Sequence, residues 1–172
     1  MRKLIIALIV MMSVGTLSAQ SKIGHINSNK LLDTLPSRKV AIQTLEDFGA
    51  AGEKELTEME TELQKIYQEY QAKGKTLSEV MRQYEEERIQ KKQQALQVRE
   101  QELQQQMSGL SSELNAPILK RLQKAVEIVA ERKKLNYIFD ESQAIFSKGG
   151  TDLTSEVMTE LLKLDAEETK KK

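Results

Sequence analysis

The chain has 172 residues, with 26 basic against 26 acidic, one His, no Cys and no Trp. Charged residues make up 30% and aromatics only 4%, a balance suited to long solvated helices rather than to one aromatic-rich globular core. Without Cys there are no disulfides or thiolate metal sites, and a single His excludes His-based triads and multi-His metal centres. The balanced charge gives no reason to expect nucleic acid as a partner.

In chain order, Arg2 and Lys3 form a basic start, Leu4 to Val14 an apolar run, and Thr16-Leu17-Ser18-Ala19 a small-residue exit before Gln20. This is the pattern of a secretory signal peptide, residues 1–19, and its apolar run is too short to span a bilayer stably. It predicts cleavage near Ala19 and a soluble chain outside the cytoplasm. No Cys lies near the junction to carry a lipid anchor.

Lys22 to Asn27 reads as a short strand, after which Asn27 or Ser28 caps a brief helix carrying Leu31 and Leu32. Pro36 then opens a much longer helix, because its fixed φ suits the first turn. Leu45, Phe48, Gly52, Leu56, Met59, Leu63, Ile66 and Tyr70 recur along it at intervals of three and four, a coiled-coil-like seam with one slip. Gly49 and Gly52 weaken its early part by roughly 1 kcal/mol each relative to Ala.

Lys73-Gly74-Lys75 ends that helix, and Thr76-Leu77-Ser78-Glu79 is a capping-box pattern that starts another. So short a connection between two long helices predicts an antiparallel hairpin. The second arm extends from about Ser78 to Lys134, with Pro117 as the place for a bend, and the free part from Glu46 to Ala72 would reach roughly 40 Å. Between Glu85 and Gln106 its clear apolar residues are only Ile89, Ala95, Leu96, Val98 and Leu103. Gln residues at 90, 93, 94, 97, 101, 104, 105 and 106 fill much of the rest, as on a solvated face. A seam this thin predicts an arm that bends and splays easily.

After Pro117, Ile118, Leu122, Ala125, Val126, Ile128 and Val129 form a strong apolar face that should dock on a body. Leu135 to Asp140 is strand-like, with Leu135, Tyr137 and Phe139 on one face. Gln143 to Ser147 is a second such run, and residues 140–143 suit a hairpin turn between them. Gly149-Gly150 turns the chain, and Asp152 or Thr154 caps a final helix lined by Leu153, Val157, Leu161 and Leu164. Residues 167–172 should fray. Three short strands with two small helices make a poor independent core and leave edges unpaired. Symmetric association that pairs those edges answers both problems, so the expected body is built from several chains.

Little in the chain looks catalytic. His25 reads as a packing or hydrogen-bonding residue on the first strand. Gly74-Lys75-Thr76 evokes a phosphate loop, but Glu69 stands at the upstream Gly position and no strand precedes it. Glu85-Glu86-Glu87 point in different directions around a helix. Lys91-Lys92 is too short for a basic groove, and Arg132-Lys133-Lys134 suits a helix C-terminus. No enzyme activity, cofactor or metal is expected.

Four stretches in their order resemble the Skp/OmpH family of periplasmic chaperones. They are residues 22–32 (KIGHINSNKLL), the Ala116-Pro117-Ile118 step, residues 135–142 (LNYIFDES) and residues 152–157 (DLTSEV). With the arm between them, the resemblance covers residues 22–164. It implies a mainly α fold with a small β body (α+β), in which a long antiparallel helical hairpin projects from an oligomeric β-barrel assembly domain. Residues 20–45 and 117–172 would be the body and 46–116 the arm.

The resemblance also implies a homotrimer that holds unfolded outer-membrane β-barrel proteins between its arms, without ATP. Ile23, Ile26, Tyr137, Phe139, Ile145 and Phe146 would then belong to the body and its subunit contacts. The arm departs from the family pattern. It carries 9 basic and 15 acidic residues between Glu46 and Ala116, where the resemblance implies strongly basic arms. No lipid-site residues are therefore carried over, and a membrane surface is left as a weak partner that acidic arms disfavour. Client holding would rest on distributed contacts from Phe48, Met59, Ile66, Tyr67, Tyr70, Met81, Tyr84 and Met107, Met being adaptable at promiscuous surfaces. The alternative is a structural coiled-coil spacer or adaptor that binds one folded periplasmic partner.

Overall fold

A computed structural model of the chain describes residues 23–146 and 149–169. The signal peptide, Ser147 and the last residues of the tail lie outside them. The fold is mainly helical, with a small sheet and a long helical hairpin. Two compact units can be separated: one joins the residues up to Leu35 with those from Lys120 onward, and the other is Pro36–Leu119.

The first unit is built around β1 (Ile23–Ile26), flanked by β2 (Tyr137–Asp140) and β3 (Thr151–Asp152). Both neighbours run parallel to β1, with Ile23 opposite Tyr137 and His25 opposite both Phe139 and Asp152. The expected hairpin is therefore not formed. Residues 141–143 make a 3-10 turn, and Gln143 to Phe146 carries no strand. The side chain of Asp140 closes that turn by accepting from Ser142 N at 3.0 Å, and it also accepts from Ser28 N at 3.3 Å. An Asp that serves two backbone donors at the end of β2 ends the strand and ties it to α1 (Ser28–Asp33). The third strand forms beyond Gly150, whose φ is +93° and where a Cβ would sit 3.2 Å from the Ile23 carbonyl oxygen. Glycine lets the chain turn there against β1.

Short polar contacts fix the helix starts. Asn27 caps α1 by accepting from Lys30 N at 2.9 Å, and Asn27 N donates to Thr154 Oγ1 at 3.1 Å at the start of α4 (Thr154–Thr169). Asp152 accepts from Thr154 N at 2.9 Å. The helix α4 runs on through Thr169, so the first part of the expected frayed tail is helical. Leu31, Leu35, Val129, Leu153, Val157 and Leu161 are fully buried and form the core, with Ala125 and Ile26 beside them. At Gly24, in the middle of β1, an added Cβ would lie 2.5 Å from Leu153 Cδ1, so the core presses directly on the strand backbone.

Two ion pairs bind the end of α3 (Glu79–Lys133) to α4: Arg132 to Glu160 and Lys133 to Glu156, both at 2.7 Å. Deeper in, Arg121 Nη2 meets Asp165 Oδ1 at 3.0 Å, and Asp165 is almost wholly buried. The helix α3 ends at Lys133, and Lys134 just after it takes the left-handed φ of 53°. Leu135 N donates to Ala130 O at 2.9 Å and Lys134 N to Glu131 O at 3.1 Å, a Schellman ending with Lys where Gly is usual.

The second unit holds α2 (Pro36–Lys73), a 3-10 turn at Gly74–Thr76 and α3 as far as Leu119. Pro36 is the first residue of α2, as its fixed φ predicts. The expected capping box is not formed, because the cap falls two residues later, at Ser78, and Met81 stands where a Glu or Gln would have to reach back. Thr76 turns its hydroxyl back to Lys73 O at 2.7 Å, and Ser78 caps α3 by accepting from Met81 N at 3.4 Å. The helix α3 passes Pro117 unbroken.

Candidate functional site

The hairpin is held by a seam that is half apolar and half ionic. Every seam residue foreseen on α2, from Leu45 to Tyr70, is at least half-buried, and Gly52 and Ile66 are fully so. On α3, Ile89, Leu96 and Leu103 recur every seventh residue and face inward. Ala95 and Val98, expected among the apolar contacts, are exposed instead. Their place is taken by Lys92 and Arg99, again seven residues apart and partly buried. Lys92 Nζ donates to both carboxylate oxygens of Glu62 at 2.9 Å. Arg99 donates to both oxygens of Glu55 at 2.8 and 2.9 Å. As the α2 partner advances from 55 to 62, the α3 partner falls from 99 to 92, so these contacts confirm an antiparallel pair.

The charges are matched to this geometry. The Arg99 hydrogen bonds hold the Glu55 carboxyl below its ordinary 4.5, and the Lys92 hydrogen bonds do the same for Glu62. Arg99 is pushed upward, first by its bonds to Glu55 and then by Glu102. Nearer the turn, the Tyr70 hydroxyl donates to Glu86, which raises the phenol above its usual value. All eight Gln between 90 and 106 are exposed, as a solvated face requires. Between residues 42 and 117 only Gly52, Ile66 and Ile89 are fully buried, so little apolar area holds the two helices together.

Of the residues expected to touch clients, Ile66 is buried in the seam, while Phe48, Met59, Tyr70 and Met107 are half-buried along it. Tyr67, Met81 and Tyr84 are exposed. Phe48 and Met107 share the wall of an open groove of about 800 Å³, which runs past Gly49 and Gly52 and is lined further by Leu56 and Leu103. Leu103 rests where a Gly52 Cβ would lie, 3.2 Å away, so the glycines that cost helix propensity also let α3 side chains reach the α2 backbone.

On the sheet unit, Ile26 belongs to the chain's own core and Ile23 is partly exposed. Tyr137 and Phe139 stack with ring centroids 6.1 Å apart and are more than half exposed, Phe146 is more so, and Ile145 is fully exposed. Phe139, Phe146 and Ile23 line one hollow of about 460 Å³ with His25 and Glu141. There His25 Nδ1 lies 2.9 Å from Glu141 Oε2, and Asn27 Nδ2 donates to Glu141 Oε1 at 2.9 Å. Among the described residues, no group of three His, Cys, Asp or Glu side chains could hold a metal ion. No described helix is long and apolar enough to cross a membrane.

The ionic half of the seam escaped the sequence reading because an apolar periodicity does not register Lys92 or Arg99. Counting outward from the turn would have found them, since Glu62 and Glu55 stand at matching distances on the other arm.

Residues 22–161 match the family described as outer membrane protein (OmpH-like). The chaperone protein Skp of Photorhabdus laumondii is 27% identical over 149 residues, covering 87% of this chain and 90% of that protein. The chaperone protein Skp of Pectobacterium atrosepticum is 24% identical over 153 residues, covering 89% and 93%. A crystal structure from Caulobacter crescentus, described as an OmpH-like outer membrane chaperone, superposes with a TM-score of 0.73 at 18% identity, covering 85% of this chain and 86% of that one. At that identity it speaks for the fold alone. With a single family model spanning both the sheet strands and the whole hairpin, the chain belongs to the Skp/OmpH family.

Proposed function

We propose that the protein is an ATP-independent holdase chaperone of the periplasm, which keeps unfolded outer-membrane β-barrel proteins from aggregating in a cavity between helical arms. The observation that carries this reading is a long hairpin with so little buried apolar surface that its Met and Tyr side chains stay partly or fully accessible. Such a surface suits many weak contacts better than one fixed partner. The relatives named as chaperones support it.

In this reading residues 46–116 are the arm, and residues 20–45 with 117–172 are the body. The body is a homotrimeric β-barrel joined through Ile23, Tyr137, Phe139, Ile145 and Phe146, with Ile26 behind them. Support comes from the exposed aromatic strip on β2 and the apolar Ile145-Phe146 segment, which a lone chain leaves in water. Clients would meet Phe48, Met59, Tyr67, Tyr70, Met81, Tyr84 and Met107, and Ile66 where the hairpin opens.

Light scattering on the exported protein, alone and after mixing with an outer-membrane barrel diluted from urea, tests both parts. The expected result is a mass of three chains that gains one soluble client. A monomer or dimer that leaves the client to aggregate would overturn the reading and favour the coiled-coil spacer.

A further inference from the structure

The groove beside Gly49 and Gly52 has a chemistry of its own. Its floor is apolar, made by Phe48, Leu56, Leu103 and Met107. Its rim carries three carboxylates, Glu53, Glu60 and Glu100, and no cation lines it. These three are not among the acids of the hairpin that a cation pairs. Glu55, Glu62, Glu85, Glu87 and Glu102 are each neutralised by a Lys or Arg, whereas Glu53, Glu60 and Glu100 are exposed and take part in no ion pair among the described residues. A smaller hollow nearer the turn carries Arg88, Lys91 and Lys92, but each of these is already paired with a Glu. At this apolar trough, then, the bordering charge is all negative and unpaired.

An apolar trough with an uncompensated anionic rim complements a segment that presents apolar side chains to the floor and cations to the edges. We infer that this groove binds unfolded polypeptide segments that combine aliphatic or aromatic side chains with Lys or Arg. This names the client chemistry of the proposed holdase and rests on that reading. It makes cationic apolar stretches, rather than acidic ones, the preferred handle on this chain.

The test is fluorescence anisotropy of the whole exported protein with three labelled peptides of equal length, alternating Leu with Lys, Leu with Glu or Leu with Ser. The Leu–Lys peptide should bind at least about tenfold tighter than either other peptide, as three weak exposed charge contacts together allow. The variant E53Q/E60Q/E100Q should lose about that factor for Leu–Lys alone. A control, E69Q/E79Q/E85Q, removes the same charge away from the groove and should leave binding within about twofold. Equal losses in both variants, or Leu–Ser binding as tightly as Leu–Lys, would overturn the inference. A parallel aggregation assay with an unfolded outer-membrane barrel keeps the two readings apart. Protection of the client without discrimination among peptides would sink the groove and leave the holdase standing. Peptide discrimination without protection would do the reverse.

Discussion

Arg99 on one helix of the hairpin holds Glu55 on the other in a two-point grip, Nε to Oε1 at 2.8 Å and Nη2 to Oε2 at 2.9 Å, while its Nη1 reaches Glu102 at 3.1 Å. A planar guanidinium meets a carboxylate this way at only one alignment of the two helices, so the pair reports register as well as attraction. Lys92 and Glu62 repeat the contact two helical turns away. A slip of one residue would break both grips at once, whereas Leu and Ile contacts would tolerate it. A polar position in a helical seam commonly trades stability for register in this manner.

The first prediction concerns that grip. R99M keeps the seam filled but releases Glu55, so amide hydrogen exchange around residues 52–58 and 96–102 should accelerate, while exchange in the sheet unit stays unchanged. Adding E55Q to R99M should accelerate it no further, because the two side chains act through one contact. Independent, additive effects would show that the pair does not pin the register.

Acid should loosen the hairpin before neutral or alkaline conditions do. Glu55 and Glu62 titrate below their ordinary 4.5 in the folded chain, so the unfolded chain binds more protons in that range. Their contribution to stability is therefore complete above about pH 4.5, where the unfolded carboxyls are ionised, and is lost as pH falls through the lower folded values. Helicity followed by circular dichroism in mild urea should decline from pH 5 to pH 3, and E55Q/E62Q should flatten that decline.

Asp165 is the one fully buried charged residue among those described, and it faces Arg121 at 3.0 Å. D165A would leave a largely buried guanidinium without this carboxylate, a loss expected to cost about 3 kcal/mol in urea unfolding. Replacing both partners with apolar residues of similar size, R121M/D165L, should recover most of it. If the double variant is no better than D165A, the pair contributes more than mutual neutralisation.

Lys134, just after α3, has a φ of 53°, a conformation that costs a residue with a Cβ about 1 kcal/mol and glycine nothing. K134G should therefore raise stability by about 0.5 kcal/mol, the strain relieved less the extra freedom given to the unfolded chain. A lower melting temperature for K134G would mean that the Lys134 side chain does more than close the helix.

The local patterns of the chain were enough to determine both long helices, the turn between them, Pro36 as a helix start, the α2 seam from Leu45 to Tyr70 and the solvated Gln face. Each depends on spacing within one segment, where the 3.6-residue repeat and the chemistry of Pro and Gly act directly. The order of motifs around the hairpin was enough to indicate the family. Tertiary structure decided what depends on a distant partner. Residues 143–147 have the composition of a strand, yet Asp140 is drawn to Ser28 N and the pairing with β1 passes to Thr151–Asp152. Lys92 and Arg99 look like surface cations until Glu62 and Glu55 arrive from the other helix. Glu53, Glu60 and Glu100 come to border one groove only because the two helices pair, and no cation lines it beside them. A side chain's partner is set by where the rest of the chain brings opposite charge or an open backbone edge, and periodicity within a single segment carries no record of that.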